Sequence, residues 1–189
     1  MIAQRRGWRP WAWRSFLALG GVLLLGALAL GVAAGIGALL PRAHTATLSL
    51  RLGQPPEAVW AVLTDPEQAP RWRPDVRAVA PLPPRDGRRA WVEVSDGERI
   101  AFVEDEALPP RRWVVRIADP TLPFGGRWVH TLRPEDGGTR LTITEEGEVY
   151  HPLFRFVSRF VLGHHATIHA TMRALAAHFG EAPRIQPGP

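Results

Sequence analysis

The sequence predicts an α+β fold: a curved antiparallel sheet around one long C-terminal helix, preceded by a single transmembrane helix. Three observations carry this. An uncharged run of 26 residues, Ser15 to Leu40, stands near the start. After it, segments of period two follow one another with turn residues between them, too closely for the crossovers that parallel strands need. Last comes the longest helical pattern of the soluble part, Pro152 to about Phe179, with its apolar residues on one side. The chain thus divides into a basic, Trp-rich segment 1–14, a span 15–40, a folded domain 43–180 and a tail 181–189.

As a helix, Ser15–Leu40 would run roughly 39 Å at about 1.5 Å per residue, enough to cross a hydrocarbon core of about 30 Å with some tilt. Trp8, Trp11 and Trp13 precede it, where amphipathic rings settle at headgroup level. Four arginines come before the run and Arg42 follows, so the positive-inside bias places the N-terminus in the cytoplasm and the domain outside the cell membrane. An uncleaved anchor suits the length better than a cleaved signal, whose apolar region is shorter and ends at a small-residue site. Gly31 and Gly35 make one GxxxG step, the basis for expecting a weak homodimer through this helix, although Gly and Ala are ordinary in any span.

The sequence pI of about 11.2 suggests nucleic acid, but the placement of charge argues against it. Residues 1–42 hold five arginines and no acid, whereas residues 43–189 balance 18 Arg against 18 Asp plus Glu. No basic footprint is left for DNA or RNA. All 23 basic residues are Arg, and Cys is absent, so disulfides, thiolate metal sites and cysteine nucleophiles are excluded. The four serines lie outside any GxSxG elbow, and no phosphate-binding glycine loop occurs.

Within the domain, His44–Gly53 alternates around Leu48, Leu50 and Leu52 as a half-buried strand. Pro56 then suits the first turn of a helix that runs to Thr64, and Asp65-Pro66 stops it. Glu67–Asp75 reads as a second short helix or turn held by Trp72. Strands are expected at 76–80, 89–94, 99–107, 113–118, 127–132 and 139–150, with Asp86-Gly87, Asp96-Gly97, Pro109-Pro110 and Asp136-Gly137 at the turns. On the final helix Val157, Val161, His164, Ile168, Met172, Leu175 and Phe179 share a side, and Gly180 and Pro183 end it. A curved sheet gripping one helix rarely fills its concave side, so a cavity is expected between them.

Three stretches carry a family resemblance: LTDPEQAPRWRPDV (63–76), LPFGGRW (122–128) and the segment 144–180 beginning TEEGEVYHPLFRF. They resemble the SRPBCC or polyketide cyclase/START-like superfamily, with its helix-grip, Bet v1-like fold. The resemblance implies a cavity for hydrophobic small molecules or lipids. It carries no shared catalytic motif, and the superfamily includes both carriers and enzymes.

The candidate cavity residues are Trp72, Arg73, Phe102, Trp128, His130, Glu145, His164 and Ile168. Glu145 shares parity with Leu141 and Ile143, so a carboxylate falls on the inward face and needs either an Arg partner or a raised pKa there; a bulge at Gly147 would turn Glu146 inward instead. His130 shares parity with Trp128 and Leu132, and His164 lies at the middle of the helix's apolar side. Each reads either as a ligand or proton-relay group or as a histidine bonded to a carbonyl. Trp72 and Arg73 follow the first helix; they suit an anionic headgroup at a cavity mouth, or a core plug with Arg73 paired to Asp75. Phe102, like Trp60, Trp91 and Trp113, is first of all core material. His165 and His169 stand at i, i+4 without a third ligand, and neither a metal nor a cofactor is expected.

The expected function is binding, delivery or sensing of a hydrophobic molecule or lipid by a membrane-anchored domain. The alternatives are a cyclase or dehydratase using Glu145 or His130 as general acid/base, and an interaction module whose cavity is filled.

Overall fold

A computed structural model describes residues 10–95, 97–163 and 165–188. Helix α1 (Pro10–Leu39) contains a 23-residue apolar stretch, Leu17–Leu39, long enough to cross a membrane. Its apolar residues are spread all round, as in a helix that meets hydrocarbon on most sides. Trp8 lies outside the described residues, as do the side chains of Trp11 and Trp13 and the whole of His164.

Strand β1 (Ala43–Leu52) follows and buries Leu48, Leu50 and Leu52. Helix α2 (Pro56–Leu63) turns Val59 and Leu63 inward, with Pro56 in its first turn. Asp65 accepts a hydrogen bond from the Glu67 amide and opens a 3₁₀ turn, Pro66–Gln68, which runs into α3 (Ala69–Trp72). Six strands succeed one another: β2 (Ala78–Arg85), β3 (Arg88–Ser95), β4 (Glu98–Leu108), β5 (Arg112–Ile117), β6 (Phe124–Glu135) and β7 (Gly138–Val149). Asp86-Gly87 and Asp136-Gly137 each hold two consecutive residues at positive φ, the geometry that joins twisted strands by a two-residue turn.

The sheet order is β2-β3-β4-β5-β6-β7-β1-β8, and the registered pairs are antiparallel. A bulge at Asp105, between Glu104 and Glu106, bends β4 and helps the sheet curl. On the convex face arginines and acids pair across strands, as in Arg127–Glu146, Arg116–Asp105 and Arg88–Asp105. These exposed pairs account for the neutral domain and add little stability each.

One expectation needs correction. The segment read as one long helix is divided: α4 (Pro152–Val157), a π-helical turn (Ser158–Leu162), a break at Gly163, and α5 (Ala166–His178). Only α5 is gripped by the sheet, burying Ile168, Met172, Leu175 and Ala176; Val161, placed on the same side by periodicity, is 69% exposed. The α4 segment packs instead against α1, and a contact between elements so distant in sequence overrides helical periodicity. The tail is also structured. After a Schellman cap, in which the Gly180 and Glu181 amides donate to the carbonyls of Ala177 and Ala176, β8 (Arg184–Pro187) pairs with β1.

Candidate cavity site

Inward-facing residues alternate along each strand, and the aromatic ones gather at the middle of the sheet. Trp91 sits opposite Phe102 in the β3–β4 register, and Trp113 opposite His130 in β5–β6. Trp91 stacks on Phe102 and Trp113 with ring centroids 5.9 and 6.1 Å away, and Phe102 approaches Trp128 at 6.0 Å. Such rings are rigid, so the wall holds its shape instead of collapsing onto α5. Between this wall and α5 lies a cavity of about 280 Å³, bounded by Ile143, Ile168 and the first turn of α5, and by Trp72 at the end of α3 with Arg73 after it.

One edge of the cavity is polar. Arg73 donates through Nη1 to Glu93 Oε2 at 2.9 Å and through Nη2 to Asp75 Oδ2 at 2.8 Å. Glu93, 9% exposed, also accepts from Trp91 Nε1 at 3.2 Å. Burial pulls the Arg73 pKa down, yet Glu93 and Asp75 together carry it above the ordinary arginine value, so its charge is fixed. Arg73 Nε and Trp72 Nε1 are buried with no acceptor among the described residues. Two donors on cavity-lining residues are thus unsatisfied by the protein.

His130 is 6% exposed and lines the cavity from β6. Burial, partly opposed by its hydrogen bond to the Trp113 carbonyl and reinforced by the nearby Arg73 charge, lowers its pKa to about 4. At neutral pH the ring is uncharged. Its Nδ1–H donates to Trp113 O at 3.3 Å, which leaves Nε2 as an acceptor.

The remaining candidates fall as follows. Trp72, Arg73, Phe102, Trp128, His130 and Ile168 line the cavity. Glu145 faces inward but lies beyond the lining, accepting from Trp128 Nε1 at 3.0 Å with His44 Nε2 3.4 Å away. Its partners are therefore an indole and a histidine. The register runs unbroken through Gly147, so Glu146 stays outside with Arg127. Among the described residues no three metal-ligating side chains come together; His169 keeps a buried Nδ1 without a partner. Sequence reasoning missed Glu93, Trp91 and Trp113 as site residues. Trp91, Glu93 and Ser95 share one parity, the signal that singled out Glu145.

A larger depression of about 780 Å³ lies on the convex face around Tyr150. Its arginines are already engaged: Arg127 with Glu146, Arg88 and Arg116 with Asp105, and Arg85 with the Ala118 carbonyl. Chemistry therefore points to the smaller interior cavity.

An antiparallel sheet wrapped around a terminal helix, with an aromatic cavity between them, defines a helix-grip ligand-binding domain. A family model described as polyketide cyclase/dehydrase and lipid transport matches residues 43–180, and the chain belongs to that family. Solved structures agree on the fold. A conserved protein from Geobacillus kaustophilus superposes with a TM-score of 0.59 at 17% identity, over 76% of this chain and 99% of the other. A Thermobifida fusca protein gives 0.57 at 20% identity, over 72% and 93%. The di-domain ARO/CYC StfQ of the steffimycin biosynthetic pathway gives 0.56 at 16% identity, over 71% of this chain and 50% of its own. Comparison with curated proteins returned no match.

Proposed function

We propose that this is a membrane-anchored binding protein that holds a compact hydrophobic molecule, carrying at least one hydrogen-bond acceptor, in the cavity under α5. The observation that carries the reading is the pairing of an aromatic wall with two buried, unsatisfied donors, Trp72 Nε1 and Arg73 Nε. Size narrows the guest. At about 280 Å³ the cavity is near the lower end for small-molecule sites, which suits a compact guest. In this reading α1 crosses the cell membrane with its N-terminus in the cytoplasm, and the anchor keeps the cavity near any ligand dissolved in the bilayer. Gly31 and Gly35 then face lipid or a second copy of the helix.

Full-length protein in detergent micelles, incubated with a fused-ring aromatic ketone, should quench its own tryptophan fluorescence and retain the ketone in native mass spectrometry. Ile168→Trp, which fills the cavity, should abolish both signals. Equal uptake by wild type and Ile168→Trp would place binding elsewhere and refute the reading. Of the two groups considered for acid/base work, His130 alone lines the cavity, so an enzymatic role would rest on its Nε2.

A further inference from the structure

The helical segment that departs from the grip has an unusual setting. Three features define it. First, α4 is tied to the end of α1. Gly37 is buried, and a side chain there would collide with the Pro152 carbonyl and press on the Phe156 amide. Arg155, 9% exposed, donates to the Leu40 carbonyl at 2.9 Å and the Tyr150 carbonyl at 3.3 Å, with the Ala38 carbonyl at 3.5 Å. The last carbonyls of a helix lack partners within it and form the negative end of its dipole, so a buried guanidinium is well matched to them.

Second, the segment turns large apolar side chains outward. Phe154 is 51% exposed, Phe160 59% and Val161 69%, and Phe160 lies against Phe156 at 5.0 Å. On α1, against which α4 packs, Leu39 is likewise 89% exposed. Third, the chain is built to leave the helical path here. The Gly163 amide reaches back to the Ser158 carbonyl at 3.0 Å, closing the π turn, and Gly163 itself takes φ +75, which favours glycine.

We infer that Pro152–Leu162 lies in the outer interface of the same bilayer that α1 crosses, with Phe154, Phe160 and Val161 at the acyl boundary. This rests on the reading of α1 as a membrane span. The occupant of the apolar face is lipid, because the segment is fixed to the span at Gly37 and Arg155. Eleven residues extend roughly 16 Å as a helix, far short of the roughly 30 Å hydrocarbon core, so the segment rests in the interface. Arg159 is exposed beside it and can reach the headgroups.

The absence of cysteine makes the test direct. Single variants Phe160→Cys, Val161→Cys, Leu25→Cys and Arg133→Cys of the full chain are placed in phosphatidylcholine/phosphatidylglycerol vesicles and labelled with an environment-sensitive fluorophore. Labels at 160 and 161 should be quenched by lipids brominated near the headgroup, the label at 25 by lipids brominated near the chain end, and the label at 133 by neither. Before labelling, thiols at 160 and 161 should react about tenfold or more slowly than the thiol at 133 with a water-soluble maleimide, and at a similar rate once the chain is unfolded in SDS. Quenching at 25 with none at 160 and 161 would overturn the inference while leaving the anchor in place. No quenching at 25 would remove the anchor and the inference with it. Disulfide-linked dimers through position 160, without lipid quenching, would assign the face to a second copy and also overturn it.

Discussion

Acidification should weaken the fold through His130, and the size of the effect follows from its burial. The ring sits against Trp113 with its centroid 5.0 Å away, and its pKa in the folded protein is lowered to about 4. An unfolded chain titrates histidine near 6.5. Because the folded value is the lower one, the unfolded state binds the extra proton between these limits. The contribution of His130 to stability is therefore full above about pH 6.5 and lost as the pH falls towards 4. Linkage gives a loss of about 1 kcal/mol at pH 5.5 and about 3 kcal/mol at pH 4. Urea unfolding of the full chain in a mild detergent, followed by tryptophan fluorescence at pH 7 and 5.5, reads the first of these above most carboxylate titration. The wild type should lose about 1 kcal/mol more than His130→Gln, which cannot take up a proton. A His130 ring resonance that titrates near its ordinary value by NMR, or equal losses in both proteins, would refute the reasoning.

Two further perturbations probe the core and the polar edge. Met172, with no exposed surface at the centre of α5, should lose about 2–5 kcal/mol when replaced by Ala, measured as a shift in the urea midpoint at constant slope. Glu93→Leu strands Arg73 beside Asp75 alone and removes the acceptor of Trp91 Nε1. It should cost about 1–3 kcal/mol, with much of this recovered in the double variant Arg73→Leu/Glu93→Leu; a double variant less stable than the single one would show that the ion pair is not the source of the loss.

Much of this architecture could be read from local pattern. Alternation around Leu48, Leu50 and Leu52 and the Asp-Gly turns are properties of a few adjacent residues, and they located seven of the strands to within a few positions. The same parity placed Glu145, His130 and Trp128 on the inner face, because a strand's period leaves only two choices. What was not legible depends on distant partners. Periodicity ran straight through Ser158–Leu162, and only the docking of Pro152 against Gly37, more than a hundred residues away, explains why that stretch leaves the sheet. Strand β8 offers one inward residue, Ile185, which is too short an alternation to recognise. Glu145 was aimed correctly, but its partners His44 and Trp128 come from two other strands, and their identity needed the register.

The returning tail has a practical consequence. Glu181 fastens it by accepting from the Gly53 amide, at 2.9 Å through one oxygen and 3.1 Å through the other, and Arg184–Pro187 then covers the outer border of β1. A chain cut after Gly180 would keep its cavity residues yet bare a row of backbone donors and acceptors along Leu48–Arg51. Exposed strand borders of this kind recruit other chains, so such a fragment should self-associate where the full-length protein stays dispersed.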